Sequence, residues 1–295
     1  MYRPHDDLSI LVTLKADGQI EKTVIGSIAR SLILDSNDLP EYEELKKIFR
    51  SPSLQMASFT ITEKGYSLVD GKGQLLPSVE KDFSKGSAQP ESYIGKLTSL
   101  VYERFSAGKL PLALVSMDNC SHNGSKLYEA VHSFAKRWCE NGLADPAFLS
   151  YLEDPASVSF PWSMIDKITP RPDAKVQEML AKDGFEDNYT IVTEKHTFTA
   201  PFVNAEETQY LCIEDHYTNG RPPLELGGVL YCDRETVDKI EKMKVCTCLN
   251  PLHTAMSIYG CMLGYTLISA EMADEDLRSF IQKIGYIEAM PVVVD

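Results

Sequence analysis

The run Pro111-Leu112-Ala113-Leu114-Val115-Ser116-Met117 constrains this chain more than any other stretch. A nearly continuous apolar segment of strand length reads as a strand buried on both faces, the situation found in parallel sheets covered by other elements. It opens directly onto Asp118-Asn119-Cys120-Ser121-His122-Asn123-Gly124. Polar side chains just past the carboxyl end of a buried parallel strand are where α/β proteins gather ligands, although Asp118 or Asn123 serves equally well as an Asx turn before the next helix. A second β-branched run, LSILVTL at 8–14, ends in Ala16-Asp17-Gly18, a tight turn toward a strand near 21–25. ASFTIT at 57–62 supplies a third, and helical patterning occupies about 40–49, 92–107, 125–141 and 175–182. Strand and helix in alternation predict an incomplete doubly wound α/β sheet over residues 1–233. From 237 to 284 only helical periodicity remains, so 234–295 reads as the start of an all-α C-terminal domain. The polar stretch 67–88 reads as a surface excursion.

Composition narrows the function classes. The net charge of −14, with no basic stripe, disfavours nucleic acid and anionic membrane surfaces as partners. No apolar run approaches the roughly 20 residues of a membrane span, and MYRPHDDLSI lacks the basic-then-apolar order of a signal peptide. Seven cysteines without a regular framework fit a reducing compartment. The expectation is a cytoplasmic protein with a small-molecule partner; the composition leaves its oligomeric state open.

Lys244, Asn250 and His253 place an amine, a carboxamide and an imidazole within ten residues. Proton transfer to and from an alcohol oxygen needs such a set: a titratable base, a fixed polar donor and a second hydrogen-bonding group. Asn250 and His253 share a face if the segment is helical, with Pro251 in its first turn and Asn250 capping it. Taken singly, the same residues read as a solvated lysine, a cap and a core histidine. Glu241 stands one helical turn before Lys244, as a proton-passing partner or as a surface i, i+3 pair. Cys246, Cys248, His253 and Cys261 are metal-ligand types, but their spacing lacks the paired C-x-x-C knuckle of structural zinc sites, so no metal is expected.

Four segments in order carry a resemblance. They are TITEKGY (60–66), VSMDNCSHNG (115–124), FPWSMIDKITP (160–170) and TQYLCIEDHYTNGRPPLELGG (208–228), followed by the lysine, LN and H of 244–253. Together they resemble the long-chain mannitol dehydrogenase family, which includes mannitol 2-dehydrogenase, fructuronate reductase and tagaturonate reductase. The resemblance implies a Rossmann-like fold, NAD as cofactor with NADP not excluded, and metal-free hydride transfer between a sugar polyol or aldonate and its 2-keto form. It implies Lys244 as acid and base; because an unperturbed lysine titrates near ~10.4, that role requires a buried amine. Asn119 and Asn250 would hold the substrate oxygen, His253 a neighbouring hydroxyl or carboxylate, and Asp166 with Glu241 would pass protons to solvent. Thr62, Glu63 and Asn119 would line the cofactor side.

The chain departs from that pattern in places. Met117 and Lys167 replace a cysteine and an arginine, and one extra residue separates Lys244 from Asn250. No G-x-G-x-x-G occurs, which leads to the expectation of a piece of a longer enzyme, inactive by itself, that lacks the first strand and phosphate-binding turn. A split gene, a divergent protein without cofactor binding, and a catalytically silent scaffold are the other readings. A neighbouring frame encoding a strand and glycine-rich turn would separate them.

Overall fold

The computed structural model describes residues 3–193 and 196–293. Strand β1 (Ser9–Leu14) runs antiparallel to β2 (Ile20–Ile25), as the turn residues signalled. Gly18 takes a positive φ of 84°, and the Asp17 carboxylate accepts from the Gln19 amide at 2.9 Å. After α1 (Leu39–Arg50) come β3 (Met56–Phe59), the single turn α2 (Thr62–Gly65), α3 (Pro77–Lys85) and α4 (Tyr93–Ser106). The stretch 67–88 is therefore not only a surface excursion. Within α3, Val79 and Phe83 share one buried face, and the buried Asp82 carboxylate receives the amides of Glu91 and Ser92.

Strand β4 (Leu112–Ser116) is buried at every residue, as its apolar run required. It lies between β3 and β5 (Val158–Ser159), parallel to both, with Met56 opposite Ala113 and Leu112 opposite Val158. Its alternate side chains serve two cores. Leu112 and Leu114 pack with α4, α5 (Asn123–Glu140) and α6 (Ala147–Glu153), while Ala113 and Val115 meet Ile213 on the opposite face. At the strands' amino ends the buried Arg104 guanidinium donates to the carbonyls of Phe49, Ser51, Leu54 and Pro111 at 2.7–3.0 Å.

Outside this parallel core the strands are mixed, where the sequence suggested parallel strands after the first hairpin. β6 (Ser163–Lys167) follows β5, then come α7 (Ala174–Lys182), the short pair β7 (Ile191–Val192) and β8 (Phe198–Thr199), and β9 (Phe202–Glu206). β9 lies parallel to β1. β10 (Gln209–Glu214) sits between β6, antiparallel, and β11 (Leu230–Cys232), parallel. The β6 and β10 pairing, like the short β7 and β8 pair, is antiparallel, and the alternation of such strands specifies a face but not a direction.

From Arg234 onward the described elements are all helices. Asp233 caps α8 (Arg234–Glu241), which passes through a π-helix (Lys242–Leu249) into α9 (Asn250–Met262), and shorter helices follow. No helix among the described residues is long and apolar enough to cross a membrane.

Candidate active site at the strand ends

Turns after β3 and β4 and the segment leading from β5 into β6 converge at the carboxyl edge of the parallel core. Asp118 organises the first of them. Its buried carboxylate accepts from the Ile61 amide at 2.8 Å, the Thr62 amide at 2.9 Å and the Tyr66 hydroxyl at 2.5 Å. Burial, then Asp118 itself, push the Tyr66 hydroxyl well above the ordinary tyrosine range, so it stays a donor. This grip holds Thr62 at φ +61°, an uncommon conformation for a β-branched residue. Asp118 thus bridges two turns far apart in sequence, which corrects the reading of it as a local Asx turn.

Thr62 lines a cleft of about 840 Å³ with Thr169, Arg171, His196, Phe198 and Asn204. Glu63 does not share it. Its carboxylate pairs with Lys126 on α5, and both border a separate hollow of about 380 Å³. The two positions expected to line one cofactor face therefore border different hollows, because the tight turn of α2 sends adjacent side chains apart.

The second turn is pinned from several sides. Asn123, 0% exposed, donates through its amide nitrogen to the carbonyls of Ser116, Asp118 and Ser163, and its oxygen accepts the Ser163 amide at 3.0 Å. It too is a long-range tie, not the helix cap expected of it; α5 is entered from His122, in the left-handed region at φ +50° with no side-chain cap. The next residue must be glycine, since a Cβ at Gly124 would lie 2.6 Å from the Phe160 carbonyl oxygen. The His122 ring stacks on Trp162 at 4.3 Å, and the Arg234 guanidinium lies 5.0 Å from the same indole. Arg234 is in turn held by both oxygens of Glu214 at 3.1 Å. Asn119 is exposed, and among the described residues its side chain has no hydrogen-bond partner.

Burial pushes the Cys120 thiol in this loop up to about 11. At pH 8 its thiolate fraction is then on the order of 10⁻³. Peptide mapping after brief iodoacetamide treatment should find Cys246 and Cys261, both exposed, alkylated ahead of Cys120. Equal labelling of all three would show that this loop opens readily.

Helix α8 and the π-helix bring the remaining groups. The Glu241 carboxylate accepts from the Ser121 hydroxyl at 2.5 Å and the His122 amide at 2.8 Å. Three residues on, Lys244 is only 6% exposed; its ammonium donates to the Ile165 carbonyl and pairs with Asp166 at 3.3 Å, 5.3 Å from the centre of the Tyr210 ring. Burial pushes the Tyr210 hydroxyl up to about 12, so a neutral aromatic faces the amine. The segment around and after Lys244 is a π-helix, Lys242–Leu249, whose turns are wider than those of an α-helix.

Asn250 and His253 are placed differently from expectation. Both are exposed and, among the described residues, their side chains make no hydrogen bond. Asn250 has helical angles (φ −65°, ψ −45°) within a continuous helix, so it does not cap α9, and His253 is not a core histidine. They retain the i, i+3 relation along α9. Of the expected catalytic set, Lys244 and Asp166 touch, Glu241 binds the loop bearing Asn119, and Asn250 and His253 stand apart at the surface. Ser121, His122, Trp162 and Arg234 were given no role by the sequence. Ser121, His122 and Trp162 lay inside quoted motifs and Arg234 outside them, and none was singled out because their partners lie 20 to 120 positions away.

Among the described residues Cys246, Cys248, His253 and Cys261 do not gather into a group able to hold one ion. His122, Asp238 and Glu241 do bring one ligand atom each within 4.8 Å of one another. Those atoms are already engaged. Glu241 takes the two hydrogen bonds given above, and Asp238 holds Lys242 at 2.7 Å and His122 at 3.1 Å.

A parallel core with polar turns at its strand ends, and a buried lysine reaching them from the helical segment that follows, defines a Rossmann-type unit. Residues 3–224 match the mannitol dehydrogenase Rossmann domain, and the chain belongs to the mannitol dehydrogenase family. It is 50% identical to D-mannonate oxidoreductase of Thermotoga maritima over 100% of this chain and 54% of that protein. Among solved structures, D-sorbitol dehydrogenase in substrate-free form matches with a TM-score of 0.82 at 25% identity, over 100% of this chain and 56% of that one. The ternary complex of Pseudomonas fluorescens mannitol 2-dehydrogenase with NAD and D-mannitol matches with a TM-score of 0.75 at 27% identity, over 100% and 55%. The chain spans about half the length of the relatives it matches.

Proposed function

We propose that the protein carrying this chain is a nicotinamide-dependent oxidoreductase interconverting an aldonate or polyol and its 2-keto form, with Lys244 as the acid and base. The observation that carries the reading is the Lys244 amine, buried at the ligand edge against Asp166 and the Ile165 carbonyl. A lysine with so little contact with water is suited to proton transfer in a way a solvated one is not. The cleft beside Thr62, about 840 Å³, falls within the range of small-molecule sites, and Arg171 on its wall offers a cation to an anionic ligand. Thr62 is the position suited to face a dinucleotide there, with Asn119 on the neighbouring turn, and when bound its nicotinamide supplies the hydride chemistry. NAD is the first choice, since a matched structure is a complex with NAD; NADP is the second.

In ketone reduction Lys244 gives a proton to the carbonyl oxygen, and in alcohol oxidation it takes one back. Asn119, whose amide has no protein partner among the described residues, holds that oxygen. Asn250 and His253, exposed on α9, are assigned to the outer side of the substrate. Asp166, half-buried and in contact with the amine, passes the proton onward. Identity of 50% to a D-mannonate oxidoreductase favours the fructuronate and mannonate pair over fructose and mannitol. Domain limits of 1–233 and 234–295 are proposed with this reading; the change from strands to helices at Arg234 supports them.

The test is NADH oxidation by the full-length protein with fructuronate and with fructose. Turnover should be faster with fructuronate, and prior EDTA treatment should leave the rate unchanged, since the closest approach to a metal-ligand group is occupied by protein hydrogen bonds. The 295-residue chain alone should bind NADH weakly in calorimetry, because a dinucleotide's pyrophosphate normally rests on a glycine turn and helix N-terminus of a kind its sequence does not contain. No turnover of either substrate by the full-length protein would favour a silent scaffold.

A further inference from the structure

We propose that Ser121 is a positioning residue whose hydroxyl clamps the Glu241 carboxylate and so sets the loop bearing Asn119 against the helix bearing Lys244. The inference rests on the site reading above and adds a residue to it. The contact joins positions 120 apart in sequence, and it lies two residues after Asn119 and three before Lys244. One hydrogen bond, with two residues of chain on one side and three on the other, thus ties the two groups to each other.

Glu241 is 4% exposed, and among the described residues no cation lies within ion-pair distance of it. A buried carboxylate is costly to desolvate unless donors reach it. Here the donors are the Ser121 hydroxyl and the His122 amide, one on each oxygen. The amide comes from a residue at φ +50°, so the backbone is held in a strained turn to present it.

The rest of the loop is fixed by other means: Asp118 to Ile61 and Thr62, Asn123 to Ser163. Asn119 alone has neither burial nor a side-chain partner, as expected of a group left for a ligand. Its height above the site therefore depends on the clamp next to it. Without the hydroxyl, one Glu241 oxygen loses its donor. The carboxylate then has reason to turn toward solvent, releasing the His122 amide as well.

The experiment is a double-mutant cycle in the full-length enzyme, with keto-sugar reduction as the readout and thermal unfolding as a control. Ser121→Ala should lower kcat by about 10-fold with a smaller change in the NADH KM. Ser121→Thr, which keeps the hydroxyl, should stay within about twofold of the parent. Glu241→Ala should impair turnover at least as much, and Ser121→Ala/Glu241→Ala should be no slower than Glu241→Ala alone, since both substitutions remove the same contact. Multiplicative losses, a silent Ser121→Ala, or equal loss in the Ala and Thr variants would overturn the proposal. Lys244→Ala run alongside separates the two claims. If it is inactive while Ser121→Ala is silent, only the clamp fails; if it is fully active while the cycle shows coupling, only the base assignment fails.

Discussion

Lys244→Ala in the full-length enzyme should lower the turnover of 2-keto sugar or keto-uronate reduction by roughly 10² to 10⁴, with a smaller effect on the Michaelis constant. The amine is assigned a role in the proton-transfer step and not in holding the ground-state substrate, so kcat should carry the loss. Lys244→Met, which preserves length and burial, should be equally impaired. That comparison matters because Lys244 also packs near Tyr210 and bonds to Ile165, so an alanine effect alone would mix catalysis with structure. Asp166→Asn should fall between the two extremes: it keeps the shape beside the amine while removing the charge 3.3 Å away. Near-normal turnover in Lys244→Met would place the base in Lys242, His253 or beyond this chain.

The largest effect on stability should come from Asn123. Its amide supplies donors to three buried carbonyls and its oxygen the acceptor for the Ser163 amide, tying the exits of β4 and β5 together. Each buried polar group left without a partner costs about 1–3 kcal/mol, and Ser163 Oγ, which also bonds to Ser116, can replace only part of the set. Asn123→Ala should therefore destabilise by about 3 kcal/mol or more in urea titration. Asn123→Asp should be no better despite its near-identical shape, because it sets a carboxylate oxygen against carbonyl oxygens. A loss under about 1 kcal/mol in the aspartate variant would mean that water satisfies this junction.

The parallel core was legible because a strand buried on both faces has little freedom of composition: β4 is apolar up to Ser116, and a polar loop follows it. The helical continuation was legible from periodicity. Strand direction was not, since β6 and β10 are short and alternate in the same way whether their partner runs parallel or antiparallel. Helix α3 was missed although Pro77, Val79 and Phe83 carried its signal, because glycines and lysines on both sides dominate that stretch. In the site, the motif residues came through by resemblance, but their contacts did not. Asp118 and Asn123 looked like local turn formers, and only the fold shows them spanning to Thr62 and Ser163. The π-helix around Lys244 left no mark in the sequence, since the burial of that lysine depends on the packing of α8 against β6 and β10.

Chemical rescue tests the central assignment most directly. With Lys244→Ala in the full-length protein, NADH oxidation by a 2-keto hexuronate would be followed as methylamine is added at constant ionic strength. If the missing group is an amine that donates the proton, the rate should rise with methylamine concentration and saturate, while Asn123 and Ser121 variants show no such rise. A Lys244→Ala enzyme whose rate is unaltered by amines of any size or pKa would contradict the account.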